Sequence, residues 1–211
     1  MMDKFNVKDN ICEGFVLSFS NISDFRSAFR KQYKFLLAYH ATNLSTKDLL
    51  DVQKNGLRMT TVSFLMEKVK ERFIGDEQNN DIKHAIEEYF CNNEPHTLNE
   101  INFGLVKEDL FEHYHYLLFG SEALLPVADY LTAKYQMSYR RKMVETGQHY
   151  IVSAALPTDQ IEDCWIDAIF DYFHGYNFPI SLVYNYNLAG YNIINIQKVA
   201  KPKDIQNLMM I

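Results

Sequence analysis

The sequence predicts an α+β fold in which early helices pack on a mainly antiparallel β-sheet formed late in the chain. Apolar residues recur at helical spacing between residues 46 and 135, and apolar runs of strand length follow from residue 150 onward. The chain has 211 residues and is 47% hydrophobic and 14% aromatic, which is typical of a packed domain. We expect an N-terminal cover at residues 1–34 and a single α+β domain at residues 35–211.

The composition argues against several classes of protein. The 27 acidic residues outnumber the 21 lysines and arginines and give a net charge of -6, whereas binding nucleic acid by bulk charge needs a basic surplus. No apolar run approaches the roughly 18 residues of a membrane-spanning helix. The first residues contain no apolar signal segment. Cys12, Cys91 and Cys164 are far apart and odd in number, which is typical of reduced thiols, so we expect a cytoplasmic protein.

The clearest strand-turn-helix unit lies between residues 35 and 57. Phe35 to Tyr39 form an apolar run of strand length, and the polar residues 40–43 predict a turn after it. Ser45 and Asp48 have the spacing of a capping box, and Gly56 lies where a glycine would end the helix. His40 would then lie at the carboxyl end of a buried strand, a common location for ligand-binding residues.

The middle of the chain predicts further helices and one strand. Residues 62–73 and 82–90 have apolar positions at 3.6-residue spacing and charged residues between them. Residues 101–106 predict a strand. Residues 125–135 predict a helix, because Pro126 is tolerated in a first helical turn.

The last third of the sequence predicts strands. Tyr150 to Leu156 are almost continuously apolar, which favours a central strand. Residues 180–187 alternate apolar and polar side chains, and a second run covers residues 191–199. Because a short segment with a glycine separates these two runs, we expect an antiparallel hairpin.

Two groups of polar residues are candidate ligand sites by composition alone. The basic cluster of residues 134–142 has interleaved tyrosines and would suit a phosphate or pyrophosphate, although the pattern favours a solvated charge cluster. His113 and His115 would share one face of a strand, but no further histidine supplies a third ligand at zinc-site spacing. We therefore predict no metal site.

The segment from Tyr39 to Leu57 resembles the opening of the ADP-ribosyltransferase fold of the diphtheria-toxin and poly(ADP-ribose) polymerase type. In that family a His-Gly-Thr/Ser motif ends the first strand and a helix then runs to Gly-Leu. The corresponding residues here are His40-Ala41-Thr42 and Gly56-Leu57. Alanine in place of glycine adds a methyl group next to a backbone that ligands approach closely in the family.

A second segment resembles the family's strand and Ser-x-x-Tyr helix. It comprises Leu118-Phe119-Gly120-Ser121 and, after a gap longer than the family's, Ala128-Asp129-Tyr130. The resemblance implies that NAD is bound as a substrate. His40 would hydrogen-bond the adenosine-side ribose, the Ala41 backbone would hold the nicotinamide amide, and Tyr130 would stack on the nicotinamide. Thr42 and Ser121 would line the same site, and Arg140 or Arg141 would take the pyrophosphate.

The third element of the family is a glutamate at the start of a late strand. The matching segment here is Ile180-Ser181-Leu182-Val183-Tyr184, so Ile180 occupies the place of the carboxylate. A carboxylate there stabilises an oxocarbenium-like centre and orients the nucleophile. Glu122 is the acid within a matched segment that would substitute, so the resemblance implies His40 and Glu122 as the catalytic residues.

The sequence leaves three functions open. The resemblance implies a toxin- or defence-related enzyme that transfers ADP-ribose from NAD to an acceptor, or hydrolyses NAD. The alternative is a non-catalytic interaction domain that binds a protein partner through its acidic second half, which is rich in tyrosine and asparagine. A third interpretation, modification of nucleic acid, would need the basic cluster of residues 134–142 to hold phosphates.

Overall fold

The computed structural model describes residues 4–74, 79–93, 98–112, 119–120, 122–176 and 180–200. The strands of the described chain form one sheet with the order β5-β3-β2-β4-β6, and β1 pairs with the start of β2. The pairing of β1 with β2 is parallel and every other pairing is antiparallel. The predicted α+β class and mainly antiparallel sheet are therefore confirmed. The strand bounds are β1 (Lys4–Phe5), β2 (Phe35–Leu44), β3 (Ile101–Gly104), β4 (Gln148–Pro157), β5 (Ser181–Tyr184) and β6 (Ile193–Lys198).

The helices surround two separate apolar cores. The bounds are α1 (Asn10–Leu17), α2 (Ile22–Gln32), α3 (Thr46–Asn55), α4 (Val62–Phe73), α5 (Asn80–Asn92), α6 (Asp109–Glu112), α7 (Leu125–Tyr135), α8 (Tyr139–Glu145) and α9 (Asp163–Phe173). The main core lies between the sheet and helices α1, α2 and α9. A second core lies among helices α4, α5, α7 and α8. Within the described residues, no helix combines the length and the apolar character needed to cross a membrane.

The segment expected as an N-terminal cover shares the main core with the sheet. Phe5 of β1 contacts Phe29 and Tyr33 edge-on, with ring centroids 5.0 and 5.1 Å apart. On the same helix, Arg26 donates two hydrogen bonds to Asp167 of α9, with lengths of 2.9 and 2.6 Å. Aromatic packing holds β1 against α2, and the bidentate ion pair holds α2 against α9.

Strand β2 is longer than the sequence predicts. We expected a turn at residues 40–43, but the strand continues to Leu44 because β4 pairs with it, residue for residue, from Phe35 to Leu44. The polar residues after Tyr39 are therefore held in a β-ladder rather than in a loop. This places His40 within the strand and not at its end.

The expected hairpin near the carboxyl end is wrong. β5 pairs with β3 and β6 pairs with β4, so the two strands lie at opposite edges of the sheet. The last third also contains helix α9, where only strands were expected. Its buried residues Ile166, Ile169 and Phe170 have helical spacing and pack in the main core.

Helix α3 confirms the expected capping chemistry. The Ser45 hydroxyl accepts a hydrogen bond from the Asp48 backbone, and the Asp48 side chain accepts one from the Ser45 backbone. Gly56 ends the helix with a φ of 88°, and a Cβ at this position would overlap the Leu188 carbonyl oxygen. A glycine is required here by both the backbone conformation and the close approach of the neighbouring chain.

We expect Gly56→Ala to lower the free energy of unfolding by about 3 kcal/mol, because alanine resists this φ and its methyl group has no room. Gly14→Ala is the matched control, since Gly14 lies in α1 and a methyl group added there would meet no atom within 4 Å. The control should raise the free energy of unfolding by about 0.5 kcal/mol through helix propensity. Urea unfolding of both variants measures the difference, and equal stabilities would contradict the assignment.

Candidate functional site

A cavity of about 420 Å³ opens beside β2 where β2 and β3 diverge. Residues 40–44 of β2 and 101–104 of β3 line the cavity, and so do residues of helices α3 and α4. Gly120 and Leu124 contribute a further wall. Its volume lies within the range of small-molecule and cofactor sites.

The backbone N–H and C=O groups of successive residues of β2 point alternately towards the two edges of the strand. Thr158 N–H donates to Lys34 C=O, and Val199 N–H donates to His149 C=O. His149 therefore directs its backbone towards β6, and its partner Asn43 directs its own backbone away from β4. By the same alternation, Tyr39 and Ala41 present their backbone N–H and C=O groups to the β3 side.

Within the described chain, the edge of β2 that faces β3 is in contact with other residues at Tyr39 and at Asn43, but β3 does not pair with Ala41. Tyr39 is opposite Gly104, and beyond Tyr39 no residue of β2 is paired with β3 in the described part of the chain. At Asn43, Arg72 donates to the backbone carbonyl and Gly120 packs closely, since a Cβ there would lie 3.2 Å from Asn43 N. We call the backbone at Ala41, between these two contacts, the open edge of β2. Ala41 is among the residues that line the cavity.

His40 presents a hydrogen-bond acceptor next to the open edge. Its Nδ1 lies 2.8 Å from the Asn102 carbonyl oxygen, and because a carbonyl only accepts, Nδ1 carries the proton. Burial lowers the pKa of His40 below its ordinary value, and the bond to Asn102 opposes this only in part. The neutral ring therefore leaves Nε2 with a free lone pair in a side chain that lines the cavity.

Lys68 and Asp48 form a nearly buried ion pair in the cavity wall. Lys68 Nζ donates to Asp48 and, at 3.1 Å, to Glu71. Burial alone would raise the pKa of Asp48, but Lys68 and the Ser45 hydrogen bonds hold it below the ordinary value. Burial likewise opposes the charge of Lys68, yet Asp48 and Glu71 raise its pKa. Both groups are therefore charged at neutral pH.

An aromatic ring that lines the cavity, Phe64, lies close to two cations. The Arg58 guanidinium lies 4.7 Å from the centroid of the Phe64 ring, and Lys68 Nζ lies 5.6 Å from it. Arg58 also donates to Asp51 at 2.8 Å. These contacts hold α3 and α4 together over the cavity.

Three of the predicted site residues come together in the cavity, namely His40, Ala41 and Thr42. Ser121 lies outside the described residues. For Glu122 the structure describes the backbone, which belongs to a short 3₁₀ turn between the cavity residues Gly120 and Leu124. Their predicted roles stay predictions.

The structure does not bring Tyr130 and Arg140 to this cavity. The Tyr130 hydroxyl donates to Glu88 at 3.1 Å. Arg140 donates two hydrogen bonds to Asp129, at 2.6 and 2.7 Å. Helix α7 turns its apolar face into the second core, so Tyr130 is directed to α5 instead. Neither residue is among those that line the cavity.

Ile180 lines the cavity at the place where the resemblance expects a glutamate. It is buried, and Ser181 follows it at the start of β5. Among the described side chains, the acids that line the cavity are Asp48, Asp51, Glu100 and Asp109. Glu100 is linked to Asn102, whose side-chain Nδ2 lies 3.4 Å from the Glu100 carboxylate. The backbone carbonyl of Asn102 is the group that binds His40.

Lys68 and Arg72 are cavity residues that sequence reasoning missed. Both belong to the polar positions of α4, and helical periodicity alone assigns such positions to solvent. Lys68 is nevertheless 9% exposed, and Arg72 reaches the backbone of β2. No signal in the sequence distinguishes them from the other charged residues of the helix.

No group of three histidine, cysteine, aspartate or glutamate side chains within the described ranges could hold a metal ion. His113 and His115, the pair considered from the sequence, lie outside the described residues.

We expect the His40 imidazole to titrate with a midpoint below its ordinary value of 6.5 and to carry its proton on Nδ1 when neutral. Burial disfavours the imidazolium, and the Asn102 carbonyl selects the tautomer. Nitrogen-15 NMR of the histidine rings, assigned with His40→Ala, measures both properties. A neutral ring protonated on Nε2 would contradict the geometry.

We expect Lys68→Met to lower the free energy of unfolding at pH 7 by about 3 kcal/mol, because Asp48 would remain charged in a nearly dry site. In the wild type the pKa of Asp48 in the folded protein is depressed. The stability that its charged form contributes is therefore lost as the pH falls through that pKa. In the variant the pKa should rise, so the folded state gains stability as the pH falls.

The stability difference between wild type and Lys68→Met should therefore narrow from pH 7 to pH 4. Lys54→Met, which removes an exposed lysine of α3, is the control and should change the free energy of unfolding by less than about 0.5 kcal/mol. Urea unfolding across this pH range tests the pair, and a difference that stays constant with pH would argue against it.

Comparison of the chain with protein-family models, curated proteins and solved structures gives no match. The resemblance to ADP-ribosyltransferases therefore rests on the sequence motifs alone.

Proposed function

We propose that the cavity beside β2 binds NAD and that the protein transfers ADP-ribose to an acceptor or to water. The observation that carries this proposal is the open edge of β2 at Ala41, next to the acceptor Nε2 of His40. Both groups belong to the segment in which the sequence resembles ADP-ribosyltransferases.

The open edge is complementary to a carboxamide. The Ala41 N–H can donate to the amide oxygen of nicotinamide, and the Ala41 C=O can accept from its NH₂ group, as a neighbouring strand would do. The apolar residues Phe103 and Ile180 line the same cavity and suit an aromatic ring.

His40 is complementary to a sugar hydroxyl. A neutral Nε2 accepts a hydrogen bond from a ribose O–H, and the Nδ1–H···O=C bond to Asn102 fixes the plane of the imidazole. The lowered pKa of His40 keeps this acceptor available at neutral pH.

Transfer would break the bond between the nicotinamide nitrogen and the ribose anomeric carbon. Nicotinamide leaves with the bonding electrons, the acceptor oxygen or nitrogen attacks the anomeric carbon, and its proton passes to a base. Because Ile180 cannot take this proton or stabilise the cation, the carboxylate has to come from elsewhere. Glu122 is the residue predicted from the sequence, and Glu100 is the acid that lines the cavity near Asn102.

Isothermal titration of NAD into the purified full chain tests the binding step. We expect His40→Ala to weaken NAD binding about 10-fold, the loss of one hydrogen bond in a buried site. His84→Ala, which removes an exposed histidine of α5, is the control and should bind as the wild type does.

Nicotinamide release from the same mixtures tests the reaction. Glu122→Gln and Glu100→Gln keep the side-chain size and remove the charge, so the variant that loses release while retaining NAD affinity identifies the carboxylate. Wild-type affinity in His40→Ala would contradict the proposed site. A folded wild type that gives no heat with NAD would favour the interaction domain instead, for which Tyr191 (89% exposed) and Tyr186 (49% exposed) offer a surface.

A further inference from the structure

Arg72 carries an unused hydrogen-bond donor in the wall of the cavity. One of its terminal nitrogens, Nη2, donates to the Asn43 carbonyl. The other, Nη1, is buried and has no hydrogen-bond partner among the described residues. Arginine stays charged at neutral pH, so this is a cationic donor that no described group of the protein satisfies. Such groups are rare in folded proteins and call for a specific explanation.

The two acids whose charges act on Arg72, Asp48 and Glu71, are hydrogen-bonded or ion-paired to other groups. Asp48 is bound by Lys68 and by Ser45. Glu71 is bound by Lys68 at 3.1 Å and lies 3.8 Å from Lys47 Nζ. Within the described chain, Arg72 therefore has no ion pair of its own, although both acids raise its pKa against the larger, lowering effect of burial.

Gly120 and Leu124 line the same cavity as Arg72, at the amino end of α7. Gly120 has a φ of 83° and packs against the Asn43 backbone that Arg72 contacts. The chain then enters α7, an 11-residue helix whose N-cap, Leu124, makes no side-chain capping bond and lines the cavity. Pro126 removes one N–H group from the first turn, so the contribution of this end to an anion is the helix dipole.

We propose that Arg72 and the amino end of α7 form an anion subsite that takes a phosphate or pyrophosphate group of the cavity's ligand. Nη1 makes no hydrogen bond to the described chain, so it can donate to a phosphate oxygen while Nη2 keeps its bond to the Asn43 carbonyl. The inference rests on the proposed function in that both concern one ligand in one cavity. It assigns to Arg72 the role that the sequence resemblance gave to Arg140 or Arg141.

Titration of ADP, inorganic pyrophosphate and adenosine into the full chain tests the subsite. Arg72→Gln should weaken binding of ADP and pyrophosphate about 10- to 100-fold and leave adenosine affinity unchanged. Lys70→Gln, which removes a cation of the same helix that does not line the cavity, should bind all three as the wild type does. Arg72→Lys keeps the charge and should retain more ADP affinity than Arg72→Gln.

Glutamine is too short to keep the bond that Nη2 makes to the Asn43 carbonyl, so thermal unfolding checks that Arg72→Gln folds. If Arg72→Gln does not fold, the comparison of Arg72→Lys with wild type decides. Equal ADP affinity in wild type and Arg72 variants, a loss of adenosine affinity of the same size, or a loss of ADP affinity in Arg140→Gln instead would overturn the inference. So would a wild type that binds neither ADP nor pyrophosphate.

The same titrations separate this inference from the proposed function. ADP and pyrophosphate binding that depends on Arg72, in a protein that does not bind NAD, would support the anion subsite and refute the NAD proposal. NAD binding that is unchanged in Arg72→Gln would refute the anion subsite and leave the NAD proposal in place.

Discussion

The unequal pairing of strand β2 is the constraint on which the rest of the structure depends. One edge of β2 is bound by β4 along all ten of its residues, which fixes the strand and its alternation. The other edge is divided between the short strands β1 and β3. Because β3 meets β2 only at Tyr39 in the described chain, the strand keeps its rigid geometry past this point while its backbone groups face a cavity. A backbone held in this way is a preorganised hydrogen-bonding surface.

Helix α4 and the residue before α7 complete the cavity, because they contact β2 just beyond the open edge. Arg72 of α4 and Gly120, which precedes α7, both meet the backbone of Asn43. The second core holds these two helices in place, so the packing of Val69, Phe73 and Leu131 sets the position of groups that are polar and functional in our proposal. Stability and the shape of the site thus depend on the same contacts.

Local signals in the sequence predicted the local structure well and the long-range pairing poorly. The capping box at Ser45, the stop at Gly56 and the start of α7 near Pro126 depend on neighbouring residues, and the structure has all three. The hairpin was wrong because two alternating segments close in sequence need not be partners, and here β3, β2 and β4 lie between them. Lys68 and Arg72 could not be found for a related reason, since burial of a charged helix position depends on what packs over it.

The alanine in the His40-Ala41-Thr42 segment illustrates why the geometry of a strand matters more than the motif. Glycine in the family's motif suggests that a methyl group would obstruct the ligand. In a strand, however, side chains point above and below the sheet, while the backbone N–H and C=O groups point along its plane. The Ala41 methyl packs with Ile151 on the face away from the main core, next to Leu110 and Val199. The backbone groups of the open edge therefore point in the plane of the sheet, away from the methyl group, so alanine at this position is compatible with a ligand that binds the backbone.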